Sequence, residues 1–471
     1  MVGHVVALDC GATSGRVILG EVGPNQLRTA THARFANRPV SVRGRLHWDV
    51  LSLWQGALDG LTSAIREVPT ISSIATDTWG VDYGLLRDGQ LLGNPRHYRD
   101  ERTGAAIEHV ESMSSQAEQY AATGIQFMPI NTIYQLAADA AENRLGLADT
   151  VLLMPDLFTY WLSGTSIAET TMASTTGLLD VHTRQWSDSL LDVAGVRREL
   201  LPELVIPGTR VGELDTDVAT QVRAESPIEV VAVGSHDTAS AVTAIPMQPE
   251  TAAFISCGTW GLAGVELESP VVTEAARTGG FTNEVGVDGR ILLMRNVMGL
   301  WILSEAVRQW ERDGEAISLP ELIEAASAVS DAMPVVDVDD PRFLAPGNMP
   351  RRITAWCTER GIRPPGNRAE MARCIIESLA QAFADAVLSA GSLGDVPVKT
   401  IHIVGGGSLN RLLCQRTADR AGIPVLAGPV EATALGSVLV QARAMGHISG
   451  SLDALRDLVR RTHHPVSYTP R

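Results

Sequence analysis

The chain has 471 residues, a formal net charge of −16, 45% apolar residues and 20% charged residues. That length exceeds the usual single hydrophobic core, so two domains of roughly 200 residues with a cleft between them are expected. The acidic balance disfavours a nucleic-acid surface, which needs clustered Lys and Arg, but leaves room for a small anionic ligand held by backbone N–H groups or a metal.

No apolar run reaches bilayer length, and the N-terminal MVGHVVALDCG lacks the basic-then-apolar pattern of a secretory signal. The expectation is therefore a cytoplasmic enzyme or binding protein with no membrane partner. The cysteines Cys10, Cys257, Cys357, Cys374 and Cys414 are odd in number, widely spaced and free of CxxC pairing, which argues for buried reduced thiols over a zinc site or a disulfide framework.

In chain order, an apolar strand over His4–Leu8 is broken by DCGATSG and resumes over Arg16–Val22, a β-hairpin pattern. Its turn, Asp9-Cys10-Gly11-Ala12-Thr13-Ser14-Gly15-Arg16, joins a strand-end carboxylate to glycines and hydroxyls. Glycine lets backbone N–H groups approach an anion, hydroxyls donate to phosphate, and Asp can hold Mg²⁺. The same residue types serve any hairpin turn, so composition leaves both readings open. A strand around Ile74 leads into DTWGVDYGLL, Asp77–Leu86, and then NPRHYRDERT, Asn94–Thr103. Aromatic, glycine and carboxylate groups there suit a polyol, although Trp79 alone reads as a core residue beside a turn.

Further strand-like runs surround Leu152, Val231, Phe254, Leu292 and Ile401. The run at Val231 ends in Ser235-His236-Asp237-Thr238, where helix capping by the aspartate and catalysis are evenly matched. No G-x-S-x-G elbow supports a serine-hydrolase triad. The run at Phe254 leads into Cys257-Gly258-Thr259-Trp260-Gly261, a second small-residue turn. Ala345–Asn367 is a Pro/Gly-rich excursion within the second half. Met371, Ile375, Leu379, Phe383 and Val387 recur at helical spacing. After the strand at Ile401, Gly405-Gly406-Gly407 precedes a helical pattern, a usual place for a nucleotide, without either the G-x-G-x-x-G fingerprint or a P-loop. Strands alternating with helices indicate an α/β fold. HVVALDCGATSGRVILGEV is echoed by ETAAFISCGTWGLAGVELE, Glu250–Glu268, which suggests two related halves.

These pieces, in this order, resemble the FGGY carbohydrate kinases over nearly the whole chain. The residues that carry the likeness are ALDCGATSGRV, DTWGVDYGLL with YRDERT, GIQFMPINTIYQL, LLMPDLFTYWLSG, SHDTASAV, SCGTWGL, RNVMGLWIL, and HIVGGGSLN with AGPVEATALG. DTWGVD, GIQFMPINT and HDTASA point to the branch that acts on L-rhamnulose in L-rhamnose degradation.

The resemblance implies two ribonuclease-H-like (actin-like ATPase) domains with an interdomain active-site cleft: residues 1–245, completed by 445–471, on the sugar side, and 246–444 on the nucleotide side. It implies transfer of the ATP γ-phosphoryl to the 1-hydroxyl of the ketose, with Mg²⁺. Carried over by motif, Asp237 is the general base. Gly80, Val81, Tyr83, His236, Thr238 and Asn296 contact the substrate, and Ala12, Thr13, Ser14, Gly15, Arg16, Thr259, Ser304 and Gly406 contact ATP. Asp9 anchors the metal. Two departures stand out: Ser304 occupies a position where the family can place a glutamine, and Thr417 and Ala421 replace a cysteine pair found in some relatives. Cys357 and Cys374 match cysteine positions of relatives, but a bridge would be unusual in a reducing cytoplasm.

The partners implied are a small ketose and ATP, with the protein a monomer or homodimer. The alternatives are a sister kinase acting on L-fuculose, D-xylulose or another polyol, and a non-catalytic actin-like nucleotide-binding protein. The last predicts sugar-indifferent ATP turnover and leaves HDTASA and DTWGVD without a role.

Overall fold

Two apolar runs, His4–Leu8 and Ala252–Cys257, are buried almost throughout, as central strands covered on both faces must be. Around each grows one sheet. The computed structural model describes residues 2–471, and the chain divides into two units. The first is Met1–Pro246, Leu267–Leu293 and Ala432–Thr462; the second is Met247–Glu266, Met294–Glu431 and His463–Arg471.

In the first unit the strands are β1 (Gly3–Cys10), β2 (Ser14–Gly23), β3 (Gln26–Ala36), β4 (Ile71–Thr78), β5 (Arg210–Glu213) and β6 (Glu229–Val231), in the order β5-β6-β4-β1-β2-β3. β1, β2 and β3 form an antiparallel meander, while β4 joins β1 and β6 in parallel. The crossover from β3 to β4 includes the helix Val50–Glu67, which buries Ala57, Leu58, Leu61, Ala64 and Ile65 on the sheet. Its start is set by Asp49, whose carboxylate accepts from the Ser52 N–H.

The second sheet is built from β7 (Ala252–Cys257), β8 (Trp260–Leu267), β9 (Ile291–Met298), β10 (Thr400–Val404), β11 (Val425–Ala427) and β12 (Val466–Tyr468), in the order β9-β8-β7-β10-β11-β12, with the strand Phe281–Val285 at its edge beside β9. Again a hairpin, β7–β8, is followed by parallel neighbours, β7–β10 and β10–β11. The two short segments that echo each other in sequence are thus the equivalent first hairpins of two ribonuclease-H-like, actin-like domains.

The helix Arg368–Leu393 carries the predicted Met371, Ile375, Leu379, Phe383 and Val387 stripe, all buried. Asn367 caps it, accepting from the Glu370 N–H at 2.9 Å. Among the described residues it is the one helix long and apolar enough to cross a membrane, but 72% of its most apolar window is buried inside the protein. It is a core helix of the second unit, packed on the helices Leu319–Ser327 and Arg411–Ala421.

By its contacts helix Ala432–Ala444 packs with the first unit, and the last strand lies in the second unit, where β12 pairs antiparallel with β11. The cause is a backbone contact that only glycine permits. A Cβ on Gly436 would lie 1.8 Å from the Ser240 carbonyl oxygen, so this helix crosses the helix Asp237–Thr243 at closest range. Gln441 completes the anchor, donating to the Val6 carbonyl and accepting from the Ser73 hydroxyl.

Candidate active site

Three strand ends of the first unit converge in register. β1 places Asp9 opposite Arg16 of β2 and Asp77 of β4, and Thr78 donates to the Ser235 carbonyl at 2.9 Å, drawing in the segment after β6. Beyond it the chain turns at His236 into the helix Asp237–Thr243. That turn is wired from behind by Glu169, a buried carboxylate that accepts from the Ser235 N–H at 3.1 Å and the Thr171 hydroxyl at 2.5 Å. The Thr171 oxygen in turn accepts from the His236 N–H at 3.2 Å.

The helix N-cap is His236, and its side chain makes no capping bond; Asp237 is the first helical residue. The balance between capping and chemistry therefore tilts toward chemistry. The Asp237 carboxylate stays 32% exposed while its Oδ1 accepts from the Thr238 hydroxyl at 3.1 Å and faces His236 Nε2 at 3.5 Å. Surrounding protein raises its pKa, opposed by the His236 charge and the Thr238 hydrogen bonds. Thr238 is itself buried and spends its hydroxyl on Asp237. On the far side of the imidazole, His236 Nδ1 lies 2.8 Å from Glu284 Oε2.

Asp9 is buried and ion-paired with Arg16 at 2.8 Å. Asp77 beside it is fully buried, and neither of its oxygens makes a hydrogen bond of ordinary geometry. Its pKa stands well above the carboxylate range, first through burial and then through the charges of Asp9 and Asp237, with Arg16 opposing. Such a pair suits a divalent cation, which would satisfy the orphaned oxygens. Among the described residues no group of three or more His, Cys, Asp or Glu forms a complete metal cage. Phosphate or water oxygens would have to supply the remaining ligands, as Mg²⁺ commonly requires. The adjoining turn is closed by the Gly11 N–H donating to the Ser14 carbonyl, leaving Thr13 and Ser14 exposed, while Gly15 sits against the Phe35 ring.

Gly80 stands beside His236: a Cβ there would meet His236 Nε2 and Thr175 Oγ1, each at 3.4 Å. Val81 follows with φ +69°, a left-handed conformation that a β-branched residue adopts only at a cost of about 1–3 kcal/mol. Its carbonyl accepts from the Thr132 hydroxyl at 2.7 Å and from Gln135 Nε2 at 3.3 Å, which hold the strained peptide. Tyr83 points elsewhere. It is buried, and its hydroxyl donates to Asp139 Oδ2 at 2.6 Å in a network with Arg102, so it supports the wall from behind. Asp82 gathers the aromatic residues, accepting from the indole N–H groups of Trp48 and Trp79 and from Gln135 Nε2, and burial raises its pKa to about 6.

The remaining predicted residues lie in the second unit. The turn Cys257–Trp260 accepts the start of the helix Trp301–Arg312 through Leu300 N–H to Gly258 O and Trp301 N–H to Thr259 O. Gly299 is required there, because a Cβ would lie 2.4 Å from the Trp260 carbonyl carbon. Ser304 is exposed one turn into that helix, and Asn296 is half-buried on β9. Of the three consecutive glycines, Gly405 and Gly407 press on Cys257, at 2.9 Å from its oxygen and 2.3 Å from its sulfur for an added Cβ, while Gly406 faces open space. The middle glycine is thus the one left for a ligand, and Cys257 ties both small-residue turns together.

Residues 4–244 match the N-terminal domain model of the FGGY family of carbohydrate kinases, and residues 253–445 match its C-terminal domain model. The chain belongs to the FGGY family of carbohydrate kinases.

Among similar proteins, a rhamnulokinase of Bacteroides thetaiotaomicron is 39% identical, the alignment covering 98% of this chain and 95% of that protein. A rhamnulokinase of Pectobacterium carotovorum subsp. carotovorum is 41% identical, over 99% of this chain and 93% of that one. Among solved structures, a gluconate kinase from Lactobacillus acidophilus superposes with TM-score 0.80 at 17% identity, covering 100% of this chain and 94% of that one. A Plasmodium falciparum glycerol kinase with ADP gives 0.77 at 15% identity, covering 100% and 94%. These distant structures show the fold that this FGGY kinase shares.

Within the first unit, then, the folded kinase brings together Asp9, Arg16, Gly80, His236, Asp237 and Thr238, and the second unit gathers Thr259 with Gly406 through Cys257. Three buried acids were missed from sequence. Asp77 lies inside the DTWGVD motif, and its position at a strand end level with Asp9 was an available signal. Glu169 and Glu284 belong to no chemical motif; Glu284 is the single acid of the buried strand Phe281–Val285, and burial is not visible in the sequence.

Proposed function

We propose that this FGGY carbohydrate kinase transfers the γ-phosphoryl group of ATP to the 1-hydroxyl of L-rhamnulose, giving L-rhamnulose 1-phosphate and ADP. The observation that carries the substrate is the 39% and 41% identity, over nearly full length, to the two bacterial rhamnulokinases. The five cysteines are free and buried, which fits a reducing cytoplasm.

A sugar hydroxyl is a poor nucleophile, and Asp237 supplies what it lacks. Its part-exposed carboxylate orients the 1-hydroxyl and takes its proton as the oxygen–phosphorus bond forms and the bond to the ADP oxygen breaks. A raised pKa makes this carboxylate a better proton acceptor than an ordinary aspartate. His236 and Gly80 line the acceptor side, the glycine leaving room that a side chain would fill. Exposed Thr13 and Ser14 and the backbone N–H groups from Ala12 to Arg16 face the phosphoryl charge, and Thr259 and Gly406 serve the nucleotide. Asp9 and Asp77 would hold Mg²⁺, which neutralises charge on the transferring phosphoryl group when bound.

The test is a panel of ketoses with ATP, read by ADP release. The highest kcat/KM is expected for L-rhamnulose; equal turnover of L-fuculose or D-xylulose overturns the assignment.

A further inference from the structure

His236 stands between two carboxylates. Its Nε2 faces Asp237 Oδ1 at 3.5 Å, and its Nδ1 lies 2.8 Å from Glu284 Oε2. Glu284 is only 5% exposed, in a strand whose other residues, Phe281, Thr282, Asn283 and Val285, are uncharged and buried. Both neighbours pin it. The Asn283 N–H donates to the Gly124 carbonyl at 2.8 Å, Asn283 Oδ1 accepts from the Val271 N–H at 2.7 Å, and the Val285 N–H donates to the Ser174 hydroxyl at 3.0 Å. The histidine is pinned through its own backbone by Thr171 and, one residue before, by Glu169. Neither partner can drift, so the 2.8 Å approach is imposed by five separate hydrogen bonds. A positive charge beside Glu284 compensates the burial of its carboxylate.

From this geometry we infer that Glu284 is a positioning residue for phosphoryl transfer: it holds His236 as an imidazolium whose Nε2–H faces Asp237 and the open side of Gly80. The consequence for catalysis rests on the ketose-kinase reading above; the pairing itself does not. An imidazolium has two donors and no acceptor. His236 therefore donates to the bound acceptor and cannot compete for its proton, which leaves Asp237 as the sole base. The charged groups around the ring agree. Burial works to lower the His236 pKa, but Glu284 first, then Asp237 and Glu169, raise it to about 9.

The experiment is a ¹³C/¹⁵N histidine titration of the full-length protein, with His236 assigned by its loss in H236Q. The expected midpoint is near 9. In E284Q it falls by about two pH units, and in E284D it largely recovers. In steady state E284Q raises the ketose KM about ten-fold with a smaller change in kcat, and the alkaline limb of kcat/KM moves down with the imidazole.

A purely structural Glu284 would lower Tm and leave both midpoint and limb in place, which overturns the proposal. So does a limb that stays while the midpoint moves, or a wild-type midpoint near the ordinary value of about 6.5. Should E284Q fail to fold, the wild-type titration decides alone. If the midpoint is near 9 and moves in E284Q but L-rhamnulose is not turned over, the pairing stands and the substrate assignment fails.

Discussion

Replacing Asp237 by Asn separates the two roles its sequence context allowed. In the variant the amide oxygen can still accept from the Thr238 hydroxyl, now 3.1 Å from the carboxylate, and the side-chain volume is unchanged. What disappears is the ability to take a proton. Base catalysis of this kind contributes about 10²-fold or more, so kcat should fall by at least that factor, or about 2.7 kcal/mol of transition-state stabilisation. The ketose KM should stay within about three-fold, because the contacts that place the sugar remain.

Stability should change little. The helix N-cap is His236, whose side chain makes no capping bond, and Asp237 is not a cap. Loss of an acid from the first helical turn costs about 0.3–1 kcal/mol, while removing its repulsion on buried Asp77 offsets part of that. An ADP-coupled assay and a thermal melt, run on the same preparation, decide the matter. Retained kcat with a raised KM would make Asp237 a binding residue, and a stability loss beyond about 2 kcal/mol would restore the capping reading.

Other outcomes follow from the same geometry. Gly80→Ala should fold normally, since a Cβ meets His236 Nε2 and Thr175 Oγ1 only at ordinary contact distance, yet raise the ketose KM about ten-fold by crowding the acceptor; an unchanged KM would remove Gly80 from the sugar pocket. Gly406→Ala should leave Tm unchanged and weaken ATP about ten-fold, whereas Gly405→Ala, at φ +77° and 2.9 Å from the Cys257 oxygen, should cost about 1–3 kcal/mol of stability. Melts and ATP titrations of the pair distinguish ligand contact from packing. For pH, His236 has a folded pKa raised to about 9, so its stabilisation is complete below its unfolded value of about 6.5 and is lost as pH rises through 9. That loss is on the order of 3 kcal/mol, seen as a falling Tm that flattens in H236Q. A wild-type Tm that rises over the same window contradicts it.

The local chemistry was legible along the chain because it resides in short runs. Apolar strands, glycine turns and the helical stripe from Met371 to Val387 each follow from periodicity or from the backbone freedom of a few residues, and the motif order supplied family and fold. Asp237, His236 and the Asp9–Arg16 turn were visible for the same reason. What only the tertiary structure decided are the partners distant in sequence. Glu284 meets His236 across 48 positions, and Glu169 reaches Ser235 across 66, because separate elements fold against one turn. No local pattern encodes such pairs, since a buried acid is chosen by the charge it faces. Helix Ala432–Ala444 makes a related point: its packing on the first unit depends on Gly436 touching the Ser240 backbone, a contact that composition cannot announce. Tyr83 shows the reverse case, a residue of the DTWGVDYGLL run whose hydroxyl is directed away to Asp139 by the packing of the chain around it.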